Sequence, residues 1–130
     1  MWLVRLVKNM QTHSTEGKTV IADLWLNTLP QWGMLSLICE KALQASNMNV
    51  VQRVDHQFEP QGTTAVWILA ESHMAVHTYP EANFMAIDVF TCGTEGDPGG
   101  VIAEITERLD VRSVVIKEDT RGQRIQDLGA

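Results

Sequence analysis

The chain has 130 residues, 45% of them hydrophobic, with 10 basic side chains against 16 acidic ones and a formal net charge of -6 at pH 7. That length implies one domain spanning residues 1–130, and that hydrophobic share implies a modest core rather than a membrane protein. No basic stripe exists to neutralise phosphates, which argues against nucleic acid as a partner.

Met1 to Val7 is apolar, but Lys8, Asn9 and Gln11 interrupt it too soon for a signal peptide or a membrane span. Residues 1–16 read as an N-terminal arm, either an extra strand or a loose segment. Thr19 to Leu26 is β-branched and apolar and predicts a strand with Asp23 inside it. Pro30 to Gln44 predicts a helix, with Met34, Leu35, Ile38, Ala42 and Leu43 on its apolar face. Met48 to His56 predicts a second strand, and Pro60-Gln61-Gly62 a turn.

Thr63 to Ala70 predicts a strongly apolar strand, followed by the short segment Glu71 to Pro80 and a further strand near Phe84 to Phe90. Asp97 directly before Pro98 suits a helix N-cap with proline in the first turn. Val101, Ile102, Ile105 and Leu109 would face inward, with Glu104 and Arg108 paired on the outer side. Arg112 to Glu118 predicts a closing strand. The pattern β-α-β-β-β-α-β implies an α+β two-layer sandwich, a largely antiparallel sheet with both helices on one face. The other sheet face is then bare and apolar, so a homodimer is expected.

Cys39 and Cys92 make neither a disulfide framework nor zinc spacing, which points to a reducing cytoplasm and to no metal site. Cys39 sits beside Leu37 and Ile38 and reads as core packing.

Chemistry concentrates in Glu71-Ser72-His73-Met74-Ala75-Val76-His77-Thr78-Tyr79-Pro80-Glu81. Strand alternation would put His73, Ala75 and His77 on one side and Ser72 and Met74 on the other. A serine near histidines suits a nucleophile beside its base. There is no G-x-S-x-G elbow and no separated third member, so a serine hydrolase is poorly supported. A polar turn between core strands is the plain alternative.

Three stretches occur in one order and spacing: Ala70-Glu71-Ser72-His73, His77-Thr78-Tyr79-Pro80-Glu81 and Asp88-Val89-Phe90-Thr91-Cys92-Gly93. Together they resemble the prokaryotic S-adenosylmethionine decarboxylase proenzymes, over the span from near His56 to Cys92, with a fainter likeness at Gly17-Lys18-Thr19-Val20-Ile21-Ala22-Asp23. The resemblance implies self-cleavage between Glu71 and Ser72, giving a β chain of residues 1–71 and an α chain of residues 72–130. Ser72 would become a covalent pyruvoyl cofactor that forms a Schiff base with the substrate amine and accepts the electrons left by carbon dioxide. His77 matches the processing base and Cys92 the proton donor. Phe58 matches an aromatic that stacks on adenine, Glu81 an acidic residue near the substrate, and Thr64 a hydroxyl that supports processing. His56 resembles a recurrent family histidine and carries no assigned role.

The implied reaction is decarboxylation of S-adenosylmethionine to the aminopropyl donor of spermidine biosynthesis. Tyr79 stands where tryptophan is usual, Ala82-Asn83-Phe84-Met85 replaces a glycine-tyrosine-alanine-alanine run, and Leu24-Trp25-Leu26-Asn27 lacks the usual glycine-cysteine. These departures fall nearer the substrate than the cofactor. Ornithine or arginine as substrate, and an uncut binding protein, are the rival readings.

Overall fold

A computed structural model describes residues 15–70, 72–92 and 97–123. In chain order the elements are β1 (Gly17–Leu26), α1 (Trp32–Ala45), β2 (Val50–Gln57), β3 (Thr63–Leu69), β4 (Ser72–Tyr79), a short 3-10 turn (Pro80–Ala82), β5 (Phe84–Cys92), α2 (Pro98–Glu107) and β6 (Val111–Arg121). The six strands form one sheet in the order β2-β3-β4-β5-β1-β6. Every neighbouring pair is antiparallel.

Alternation sorts the strand side chains onto two faces. Val20, Ala22 and Leu24 of β1, Ala65 and Trp67 of β3, Met74 and Val76 of β4 and Met85, Ile87 and Val89 of β5 are buried. They share one core with Leu35, Cys39, Ala42 and Leu43 of α1 and with Val101, Ile102 and Ile105 of α2. Both helices therefore cover the same face, and the α+β two-layer sandwich expected from the sequence is the fold observed. Arg53 of edge strand β2 reaches α1 through Glu40 at 2.7 Å, and its guanidinium lies 5.9 Å from the centre of the Trp67 ring. Trp32 at the start of α1 donates to Asp55 of β2 at 2.7 Å.

Two expectations need correction. The segment Glu71 to Pro80 is no connector from Ser72 onward, because Ser72–Tyr79 is strand β4, paired with β3 on one side and β5 on the other. Its inward residues Met74, Val76 and Thr78 are buried, while the outward His73, Ala75 and His77 give it a polar look. Met34 is not on the buried face of α1 but 57% exposed, because the face is set by Leu35, Cys39, Ala42 and Leu43. Asp97 occupies the expected N-cap of α2 with Pro98 directly after it; its carbonyl accepts from Val101 N at 3.2 Å and its side chain makes no cap bond. The Glu104–Arg108 pair forms as expected. The N-terminal arm up to residue 14 lies outside the described residues.

Candidate active site

Two groups of side chains stand at opposite ends of β4. At the far end, Thr64 of β3 is in register with His77 of β4. The Thr64 hydroxyl and His77 Nδ1 share a hydrogen bond of 3.0 Å. The β2–β3 turn closes through Phe58 N donating to Gly62 O at 2.8 Å. Gly62 has φ of +97°, and a Cβ there would meet Thr78 O at 3.2 Å, so glycine suits the position twice over. Phe58 stands half-exposed on this turn, its ring centre 4.6 Å from that of His56 in an edge-to-face arrangement.

Glu81 lies in the 3-10 turn that follows β4. Asn83 closes that turn in the left-handed region (φ 49°), donating to Pro80 O at 3.2 Å and accepting from Leu26 N at 2.8 Å. A cavity of about 330 Å³ opens here, lined by Phe58, Thr64, His77, Tyr79 and Glu81 among others. Four of the residues singled out in the sequence thus share one cavity. Gln61 and Tyr79 also line it, although sequence reasoning gave neither a role. Tyr79 was visible only as a departure from the family's tryptophan.

At the near end, Ser72 opens β4, in register with Leu69 of β3 and Thr91 of β5. Cys92 is the next residue of β5 and faces Gly17 of β1. The Ser72 hydroxyl donates to Ala70 O at 3.3 Å. Glu71, the other half of the expected cleavage bond, lies outside the described residues. A Cβ on Gly17 would sit 2.6 Å from Thr91 O and 3.0 Å from the Phe90 ring. Glycine therefore lets β1 close on the strand that carries Cys92, a constraint no local sequence signal announces. Cys92 is partly exposed, whereas Cys39 is fully buried and burial pushes its thiol up to about 12.

The two ends are far apart within one chain. Five strand steps separate Ser72 from His77 along β4, roughly 17 Å at about 3.3 Å per residue. One protomer therefore does not bring the serine and its expected base together. Both His77 and Cys92 belong to the alternation that points away from the helices. That open face also carries Ile21, Trp25, Val54, Val66, Ile68, Tyr79 and Val115, all large and exposed. Trp25, Phe84 and Tyr79 form an aromatic run across it, with ring centres 4.9 Å and 5.5 Å apart.

Among the described residues no helix is long and apolar enough to cross a membrane, and no group of three or more His, Cys, Asp or Glu could hold a metal ion. Fold and site together define a small α+β sandwich with His77 and Cys92 on one open sheet face and Ser72 opening the central strand β4 on the other alternation, that of Met74 and Val76.

Comparison with known proteins narrows this further. The profile of S-adenosylmethionine decarboxylase matches residues 18–122. An S-adenosylmethionine decarboxylase proenzyme 2 of Bacillus cereus is 38% identical over 113 residues, 85% of this chain and 92% of that protein. A proenzyme 1 of Bacillus anthracis is 37% identical over 119 residues, 87% of this chain and 89% of that protein. The crystal structure of the adenosylmethionine decarboxylase from Aquifex aeolicus superposes with a TM-score of 0.76 at 25% identity, covering 90% of this chain and 99% of that one. The chain belongs to the S-adenosylmethionine decarboxylase family.

Proposed function

We propose that this chain is a proenzyme that cuts itself between Glu71 and Ser72 and then decarboxylates S-adenosylmethionine, supplying the aminopropyl donor for spermidine. The observation that carries the reading is the placement of Ser72 beside Thr91-Cys92, at the level of the sheet where the cofactor precursor and a proton donor are both required.

The residues present fit a pyruvoyl group made from Ser72. The serine heads a strand at the β3–β4 connection, where the backbone can be severed without opening the sheet. The β3–β4 ladder runs from Leu69 paired with Ser72 to Thr63 paired with Thr78, so both fragments stay held after cleavage. In the cut itself, Ser72 Oγ attacks the Glu71 carbonyl carbon, the amide C–N bond breaks and an ester forms. A base takes the Ser72 α-proton, and elimination releases the Glu71 carboxylate. Water then replaces the nitrogen, which leaves as ammonia, and a ketone remains at position 72. When present, the pyruvoyl group supplies the electron sink that decarboxylation requires.

His77 suits the base. In the tautomer whose Nδ1–H donates to the Thr64 hydroxyl, Nε2 is the nitrogen that accepts a proton. The 17 Å gap is closed by a second copy of the chain. A two-fold axis between two open faces, perpendicular to the strands and level with the Met74–Ala75 bond, lays β4 on β4 with the ends exchanged. Stacked sheets lie about 10 Å apart, so this contact would bring Cys92 and the end of β4 that opens at Ser72 to the level of His77 of the partner subunit. The exposed apolar side chains of the open face would be covered by the same contact.

Phe58 and Tyr79 offer aromatic walls for a planar base, and Glu81 a carboxylate for a cationic substrate. Cys92, on the open face beside position 72, would return a proton to the substrate carbon after carbon dioxide leaves. The test is release of labelled carbon dioxide from carboxyl-labelled S-adenosylmethionine, ornithine and arginine. Release from the first alone is expected. Release from ornithine or arginine and none from S-adenosylmethionine would overturn the substrate assignment.

A further inference from the structure

We infer that Thr78, on the helix-facing side of β4, is a positioning residue that aligns both the processing pair and the substrate turn. The inference rests on the proposed self-processing chemistry but uses a side chain that touches none of the reacting atoms.

Thr78 is buried, and its hydroxyl accepts Thr63 N–H at 2.8 Å. The same oxygen lies 3.4 Å from Thr63 O, to which it can donate. One hydroxyl is thus engaged by both backbone groups of a single residue on the neighbouring strand. Thr63 is itself buried, so its N–H loses this partner if the hydroxyl goes.

Position makes this bond matter. Thr78 directly follows His77, and Thr63 directly precedes Thr64. The side chain–backbone bond on the hidden face therefore sits one residue from the Thr64–His77 bond on the open face. Thr63 also follows Gly62, the closing residue of the turn that presents Phe58, and that turn packs on Thr78 O. The Thr64–His77 distance is 3.0 Å. A slip of about half an ångström between β3 and β4 takes it to the limit of a hydrogen bond. A β-ladder alone leaves such a slip cheap at its last pair, and the Thr78 hydroxyl blocks it.

The test compares Thr78→Val, which keeps the shape and removes the hydroxyl, with Thr78→Ser, which keeps the hydroxyl and removes the methyl. Three quantities are read on the folded full chain: the self-cleavage rate by intact mass, KM and kcat per cut site, and hydrogen exchange of the Thr63 amide. The valine variant is expected to cut between about 10-fold and 100-fold more slowly, the range that follows from misplacing a reacting group by an ångström or less. Its KM should rise with kcat per cut site little changed, and its Thr63 amide should exchange faster. The serine variant should restore all three.

Should the valine variant not fold, Thr78→Ala is read in the same way. Wild-type cleavage and KM in the valine variant, or a serine variant as impaired as the valine one, overturns the inference. A wild-type chain that never cuts overturns instead the self-processing reading, and the inference with it.

Discussion

The separation of Ser72 from His77 makes a quantitative prediction about mixed dimers. The perturbations are Ser72→Ala in one chain and His77→Ala in the other, each blocking self-cleavage alone. Five strand steps put the two residues roughly 17 Å apart in a single protomer. A base must come within about 3 Å of the proton it removes, or act through one water. No rotamer of His77 spans the difference, so His77 cannot serve as the base for Ser72 of its own chain. If two chains pair as proposed, a dimer holding one chain of each variant would set the intact Ser72 end of one β4 against the intact His77 of the partner subunit, and the second site would have lost both.

The assay is co-expression with two different C-terminal tags and purification through both, so that every dimer recovered is mixed. The chain carrying Ser72 should be cut to completion and its partner left whole. Decarboxylation per dimer should be about half that of the wild type, one working site out of two. Each variant purified alone should stay uncut. Mixed dimers that remain wholly uncut while wild type cleaves would refute the shared site and return the base to the same chain.

Cys92→Ala should still cut itself but decarboxylate at least about 100-fold more slowly, the usual loss for a missing proton donor; wild-type turnover measured by carbon dioxide release would remove Cys92 from the reaction. Gly17→Ala should destabilise the fold by about 1–3 kcal/mol in chemical denaturation, because its Cβ would press on Thr91 O at 2.6 Å. An unchanged midpoint would show that the approach of β1 to β5 is not tight. Burial pushes the Cys39 thiol up to about 12 from 9.0, so the folded state resists ionisation that the unfolded chain accepts. The stability it contributes is fully present below pH 9 and is lost as pH rises towards 12, by up to about 1.4 kcal/mol per pH unit. Urea midpoints between pH 8.5 and 10.5 should fall more steeply for the wild type than for Cys39→Ala, and parallel curves would contradict the burial argument.

The local signals in the sequence locate most of the fold. The β-branched run before Leu26, the apolar spacing of Leu35, Ala42 and Leu43, and the Asp97-Pro98 start each correspond to an observed element. The strand that holds Ser72 and His77 is the one left out, because His73, His77 and Tyr79 occupy its uncovered side and mask the inward alternation of Met74, Val76 and Thr78. Phe58, Thr64, His77 and Glu81, singled out through the resemblance, line one cavity, a grouping that their separate local signals do not give. The distance between Ser72 and His77 does not follow from their spacing: five residues mean neighbours on a turn or helix and opposite ends on a strand. Cross-strand partners are equally hidden. Neither the Thr78–Thr63 bond nor the closeness of Gly17 to Thr91 can be read before the register is known.

The claim that supports everything else is that this chain breaks its own backbone at Ser72. Intact mass of the purified chain, with amine-directed sequencing of its products, tests it most directly. The account predicts two fragments, one ending at Glu71 and the other lighter by one ammonia than a chain beginning with serine and closed to sequencing. A single species with Ser72 still in an unbroken amide backbone after long incubation would contradict it.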